Sequence, residues 1–178
     1  MTQFIVYACP TGHLAEQLQA FLAESSVHYA KNAAHSYMPH CTLTGFFDDF
    51  NRAVPIYTRT LVRAYKRALR SRPNPALTIK DLSFKPDWHG LELDSPWLKQ
   101  LVLDFACTAS SPSRKNAIRP KSWLHLSLAY EFVADQAESL AQLAQSMVDP
   151  NAPADWELRF YQRDPGNRWI CHQALPLS

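Results

Sequence analysis

Pro39-His40-Cys41-Thr42-Leu43-Thr44 and Leu124-His125-Leu126-Ser127-Leu128-Ala129 repeat one pattern. In each, a histidine stands two residues before a hydroxyl residue, inside a run of strand-forming composition. Side chains two apart on a strand share a face. His40 and Thr42 are therefore expected to project together, and so are His125 and Ser127. Leu43, Leu126 and Leu128 then face the other way, toward a core. A polar pair on one face of an otherwise apolar strand is costly to bury dry, so the pattern predicts a wet cleft. The motif strands are expected over Tyr37 to Phe46 and Ser122 to Phe132.

The surrounding chain repeats as well. Gln3 to Cys9 reads as a first strand, ended by Pro10-Thr11-Gly12, with Thr11 placed to cap a helix from about His13 to Glu24 through Leu14, Leu18, Phe21 and Leu22. Asp48-Asp49-Phe50-Asn51 reads as a loop and helix start, and the helix runs to about Leu69, closed by Pro73-Asn74-Pro75. Arg59, Arg63, Lys66, Arg67 and Arg70 line one side of it, a pattern that reads as a solvated face or an RNA-tracking surface. Ala76 to Phe84 and Trp88 to Leu93 form a hairpin about Lys85-Pro86-Asp87. Ser95-Pro96 starts a helix through Leu98, Leu101, Val102 and Phe105. The polar loop Thr108 to Lys121, with Arg114-Lys115, Arg119 and Lys121, precedes the second motif and reads as a lid or a solvated loop. Asp135 can cap a helix closed by Asp149-Pro150. Trp156, Leu158 and Phe160 alternate with polar neighbours as a half-buried strand paired with Trp169 to Ala174 across Asp164-Pro165-Gly166-Asn167.

His125 follows His40 by 85 residues, and the same offset carries the first strand and helix onto Trp88-Leu93 and Leu98-Phe105. The expectation is an α+β fold in one two-lobed domain, residues 1–178, with pseudo-repeats of about 3–84 and 88–175. Antiparallel sheets would flank a central cleft with helices outside; exchange of strands between the lobes stays open. The repeat is one of pattern, since residue identity between the halves is low outside the motifs.

Bulk composition sets limits. The 178 residues are 47% hydrophobic and 19% charged, which excludes disorder and a coiled coil. A net charge of +2 is too mild to predict nucleic-acid binding alone. Residues 1–10 lack a basic n-region, and no apolar run reaches spanning length, so no membrane association is expected. Cys9, Cys41, Cys107 and Cys171 are scattered without zinc spacing, which predicts reduced, largely buried thiols and a cytoplasmic protein.

A lone His-x-Ser/Thr match would carry little weight, since random placement supplies roughly half of one in a chain of this composition. Two at corresponding positions of two half-chains point to function. Opening a cyclic phosphodiester requires water to lose a proton while the leaving ribose oxygen gains one. Histidine serves either role, with an unperturbed pKa of ~6.5. Two imidazoles on opposite sides of the phosphorus can act as base and acid, and the hydroxyls of Thr42 and Ser127 can bind the non-bridging oxygens. The sequence leaves open which histidine is which. His40 and His125 lack a third ligand at zinc spacing, so no metal and no cofactor are expected. His13, His28, His35, His89 and His172 read as surface or packing residues.

These residues resemble the two-histidine (2H) phosphoesterase superfamily, whose signature is two H-x-[ST]-apolar motifs; the likeness extends to size, motif separation and strand–helix order. His-Leu-Ser-Leu-Ala-Tyr at 125–130 looks most like the plant-type cyclic nucleotide phosphodiesterase branch. The resemblance implies metal-independent hydrolysis of 2′,3′-cyclic phosphates, or of ADP-ribose 1″,2″-cyclic phosphate, by His40 and His125 with Thr42 and Ser127 on the phosphate. Tyr130 stands where that branch has an active-site tyrosine, although strict alternation puts it on the face opposite His125. The alternatives are a 2′-5′ ligase or exonuclease acting on RNA ends, and a non-catalytic nucleotide- or RNA-end-binding module. The expected partner is a nucleotide cyclic phosphate or an RNA end, bound by a monomer with no obligate protein partner.

Overall fold

The first strand shows no polar–apolar alternation because both of its faces are covered. In the computed structural model, which describes residues 1–71 and 77–177, β1 (Thr2–Thr11) is buried along nearly its whole length. Phe4, Val6 and Ala8 enter the main core, whereas Ile5, Tyr7 and Cys9 join Tyr161 in a smaller cluster against Met38, Phe46 and Trp169. A strand enclosed on both sides reads as a continuous apolar run.

Then come α1 (Gly12–His28), a 3-10 turn (Ala33–Ser36), β2 (Cys41–Thr42), β3 (Phe47–Asp49) and a second 3-10 turn (Asn51–Ala53). The middle of the chain holds α2 (Val54–Ser71), β4 (Thr78–Lys85), β5 (Trp88–Asp94) and α3 (Pro96–Thr108). It closes with β6 (Leu124–Tyr130), a 3-10 turn (Ala134–Gln136), α4 (Ala137–Met147), β7 (Asp155–Arg163) and β8 (Trp169–Pro176). The fold is α+β. Its antiparallel strands run in the order β4-β5-β6-β2-β1-β7-β8, with β3 also on β1.

About the junction of β6 and β2 that order is symmetric but for β8, which extends one edge. β5 flanks β6 as β1 flanks β2. β4 pairs with β5 as β7 pairs with β1, so each of these pairs joins a strand of one half to a strand of the other. The two half-sheets meet at one residue pair, Cys41 and Leu126. The four helices among the described residues all feed the main core, with Leu18 and Phe21 from α1, Tyr57 and Leu61 from α2, Leu101 and Phe105 from α3, and Leu140 from α4. α1 packs on α4 and α2 on α3. Burial of one such Leu or Phe contributes about 1.5–3 kcal/mol. Leu43, Leu126 and Leu128 all point into this core, so the motif polar groups are left to the opposite face.

The strand expected over Tyr37 to Phe46 is broken. Only Cys41–Thr42 pairs as a strand, because Leu43 and Thr44 both fall against Val6 and interrupt the regular ladder to β1. Leu43 N donates to Val6 O (3.0 Å), and Thr44 Oγ1 accepts from Val6 N (3.1 Å). Gly45 N then donates to Arg119 O (2.8 Å) and Lys121 N to Leu43 O (2.9 Å). Of the residues expected as a loop and helix start, Asp48 and Asp49 belong to β3 instead, while Asn51 opens the 3-10 turn that leads into α2.

Asp49 on β3 is fully buried and accepts from the Tyr57 hydroxyl (2.6 Å), the Ser113 hydroxyl (2.6 Å) and Phe50 N (2.7 Å). Burial pushes its pKa up, but hydrogen bonds, including those from Ser111 and Ser113, outweigh this and hold it at about 2. Asn116 Oδ1 accepts from Asp48 N (2.7 Å). The polar loop after α3 is thus stitched to β3 and is not a lid.

Other local expectations divide. Ser95 Oγ caps α3, accepting from Leu98 N (3.1 Å), with Pro96 in the first turn. Thr11 stands at the N-cap of α1 but gives its hydroxyl to Asp155 O (3.2 Å). Gly12 supplies the turn into α1 with a φ of 68°. Asp135 lies in a 3-10 turn, and Gln136 holds the cap position of α4. Helix α1 reaches His28, beyond the expected Glu24. Pro73-Asn74-Pro75 and Ala76 lie outside the described residues. All four cysteines are free, Cys9 and Cys41 buried but Cys107 and Cys171 exposed, so only half match the expected burial. Among the described residues no helix is long and apolar enough to cross a membrane.

Candidate active site

At the seam between the half-sheets lies a cavity of about 240 Å³ whose lining includes His40, Thr42, His125, Ser127 and Tyr130. All five residues singled out in the sequence therefore share one cavity, joined by Tyr37, Met38 and Trp88. A larger hollow of about 680 Å³ lies between α2 and α3. It brings together no pair of histidines and contains the Arg67–Asp104 ion pair (2.7 Å). Its chemistry is that of a groove between helices, so the smaller cavity is the candidate site.

His40 stands just before β2. Its Nδ1 lies 2.7 Å from Met38 O. A carbonyl can only accept, so Nδ1 carries the proton and Nε2 keeps a lone pair. The Tyr7 ring packs on the imidazole at 3.9 Å, with Tyr37 at 5.6 Å. Burial pushes the pKa down to about 4, against the pull of the Met38 carbonyl, and charge on His125 adds to the lowering.

His125 is stacked on Trp123 at 3.8 Å and meets Trp88 edge-on at 5.4 Å. Burial lowers its pKa most. The Trp123 carbonyl raises it, Lys121 and Lys85 lower it, and Glu92 raises it. That carbonyl lies two residues upstream, as Met38 does from His40. Nδ1 of His125 is nevertheless buried without a hydrogen bond of ordinary geometry, so its tautomer is not fixed by a partner as that of His40 is.

The hydroxyls differ in the same way. Ser127 Oγ lies 2.9 Å from the Trp88 indole nitrogen, whereas the Thr42 hydroxyl has no hydrogen-bonded protein partner among the described residues. Lys85 Nζ sits over Trp123 at 4.7 Å and over Trp88 at 5.2 Å, and is paired with Glu92 (2.7 Å). Among the described residues no Lys or Arg lines the cavity, and no three His, Cys, Asp or Glu side chains cluster as metal ligands.

Tyr130 corrects the alternation argument. His89 pairs with Ala129 but Gly90 pairs with Ser127, so Leu128 is an extra residue in β6. This bulge resets the parity of the strand. Leu128 and Ala129 are both buried, and Tyr130 returns to the face of His125 and Ser127.

The other five histidines lie outside the cavity. His13, His28 and His172 contact Glu16, Glu24 and Gln162. His35 braces Asn32 and Ser25, and His89 is buried against Phe132. The basic residues of α2 and of the loop after α3 do not line it either.

Sequence reasoning missed Trp88, Trp123, Tyr7 and the Met38 carbonyl. Trp123 was within reach, because it stands two before His125 and shares its face by the same rule that paired His125 with Ser127. The others act across strands or through backbone, where spacing carries no signal.

No family model matches the chain. Over 181 residues it is 32% identical to the ecdysteroid-phosphate phosphatase of Bombyx mori, covering 99% of this chain and 26% of that protein. It is 33% identical over 178 residues to ubiquitin-associated and SH3 domain-containing protein A of Mus musculus, covering 97% and 27%. Protein B of that name from Homo sapiens is 33% identical over 179 residues, covering 97% and 26%. The chain thus resembles a stretch of each relative and spans about a quarter of its length.

Proposed function

We propose that the chain is a phosphoesterase-type hydrolase, and specifically a cyclic phosphodiesterase that opens 2′,3′-cyclic phosphates of nucleotides or RNA ends, or ADP-ribose 1″,2″-cyclic phosphate. The observation that carries this reading is the convergence of both His-x-Thr/Ser pairs on one cavity. The phosphatase-named relative supports phosphate-ester chemistry in general.

The tautomer of His40 suggests the assignment that the sequence leaves open. With Nδ1 bonded to Met38 O, Nε2 is free to take a proton from an attacking water. His125, once protonated, gives its proton to the leaving ribose oxygen. The bond from phosphorus to the water oxygen forms as the bond to the ring oxygen breaks, and a phosphomonoester remains. The hydroxyls of Thr42 and Ser127 donate to the non-bridging oxygens as charge accumulates there. Tyr130 contacts the nucleoside at the edge of the cavity. The scheme needs only groups of this chain.

Incubation with 2′,3′-cyclic nucleotides, RNA ending in a cyclic phosphate, the ADP-ribose cyclic phosphate and a simple phosphomonoester, all with EDTA, tests the reading. Ring opening in the presence of chelator supports it and ranks the substrates. Binding without product selects the non-catalytic module, and hydrolysis of the monoester alone overturns the cyclic specificity.

A further inference from the structure

We propose that Trp88 is a positioning residue that orients the Ser127 hydroxyl toward the phosphate, and that Gly90 is the residue that gives the indole room to do so. The inference rests on the reading of the cavity as a phosphodiesterase site.

An indole nitrogen can only donate. In the 2.9 Å contact with Trp88 Nε1, Ser127 Oγ must therefore be the acceptor. A serine hydroxyl is otherwise a free rotor with one proton and two lone pairs. Occupying one lone pair restricts the directions left to the proton. Both residues line the cavity, so the remaining direction open to a ligand is into it. Accepting a hydrogen bond also polarises the hydroxyl and makes it a better donor. Ser127 is then set to donate before substrate arrives.

The indole is itself held. Lys85 Nζ lies 5.2 Å from its centroid and is fixed by Glu92 (2.7 Å). Trp123 meets it at 5.1 Å and His125 at 5.4 Å. Gly90, opposite Ser127 in the sheet, explains how so large a ring reaches this place. A Cβ at position 90 would stand 2.6 Å from Trp88 Cζ2 and 2.2 Å from Leu126 O. Gly90 has no positive φ, so the requirement is space and not backbone freedom.

The test measures kcat and KM for a 2′,3′-cyclic nucleotide in the wild type, W88F, S127A and W88F/S127A, with melting curves for each. We expect W88F to lower kcat about tenfold with KM within about twofold, the size of one neutral hydrogen bond made effective in the transition state. In the S127A background the same change should cost less than about twofold, because the hydroxyl it orients is gone. Should Phe leave a destabilising void, 3-benzothienylalanine at position 88 keeps the bicyclic shape and removes only the N–H, and the same loss is expected. W88F activity near wild type, or an equal further loss in the S127A background, overturns the proposal and leaves the site reading standing. A wild-type protein that binds but never opens the cyclic phosphate overturns both.

Discussion

The two halves of the molecule place equivalent groups on equivalent strands and then treat them differently. Thr42 lies across from Tyr7 on β1, and Ser127 across from Gly90 on β5. In the first half the tyrosine ring covers His40 at 3.9 Å. In the second, the glycine leaves that space to the Trp88 indole, which reaches Ser127. One half thus holds its imidazole in a fixed tautomer, and the other holds its hydroxyl in a fixed direction. Adjacent strands of one sheet carry two similar sites, and the neighbours of each make them unlike.

The largest effects should come from the imidazoles. His40→Ala and His125→Ala are each expected to lower turnover by roughly 10²–10⁴-fold, measured on the best cyclic phosphate with folding checked by circular dichroism. Near-normal turnover in either variant would remove the two-histidine mechanism. Next come the hydroxyls, where the comparison is sharpest. Ser127→Ala should lower kcat by about 10²-fold. Thr42→Ala should lower it by about tenfold, since its hydroxyl is not held before substrate binds. Equal losses would mean that orientation by Trp88 contributes nothing.

Protonation gives a third test. His40 titrates at about 4 in the folded chain and near ~6.5 when unfolded. Between those values the unfolded chain binds more protons. Stability is therefore full above the upper value and falls as pH drops through the window, by on the order of 3 kcal/mol. His125, His89 and His172 are also shifted down by burial and act in the same direction. The melting temperature should fall between pH 7 and pH 4.5, and less steeply in His40→Gln. An unchanged slope in that variant would show that His40 is not held neutral. The smallest effect is expected at Gly90→Ala. Crowding against Leu126 O and the indole should lower stability by about 2 kcal/mol, read by denaturant titration. A variant as stable as the parent would mean that the seam can shift to admit a methyl group.

Much of the site was legible because it rests on short periods. His40 with Thr42, and His125 with Ser127, follow from alternation over three residues, and Leu126 and Leu128 reach the core as that alternation requires. Tyr130 was misread because a single extra residue, Leu128, resets the parity, and nothing local to β6 announces it. The motif strand around His40 was read as too long for a related reason. Its continuation is decided by hydrogen bonds to Arg119 and Lys121, far along the chain. Asp49 looked like a loop residue because acidic residues favour turns. Its burial depends on donors from Tyr57 and Ser113, which spacing does not reveal.

The sequence by itself determined that two imidazole–hydroxyl pairs exist, that each lies opposite leucines that enter the core, and that a common offset relates the two motifs. Those properties follow from side-chain chemistry and backbone periodicity, which travel with any short segment. Tertiary structure alone decided that the pairs share a cavity, that the proton of His40 sits on Nδ1, and that Ser127 has an oriented hydroxyl while Thr42 does not. The cavity forms where Cys41 meets Leu126, and the orienting bond joins residues 39 apart. Hydrogen bonds and burial act through space, so they are set only when distant strands have come together.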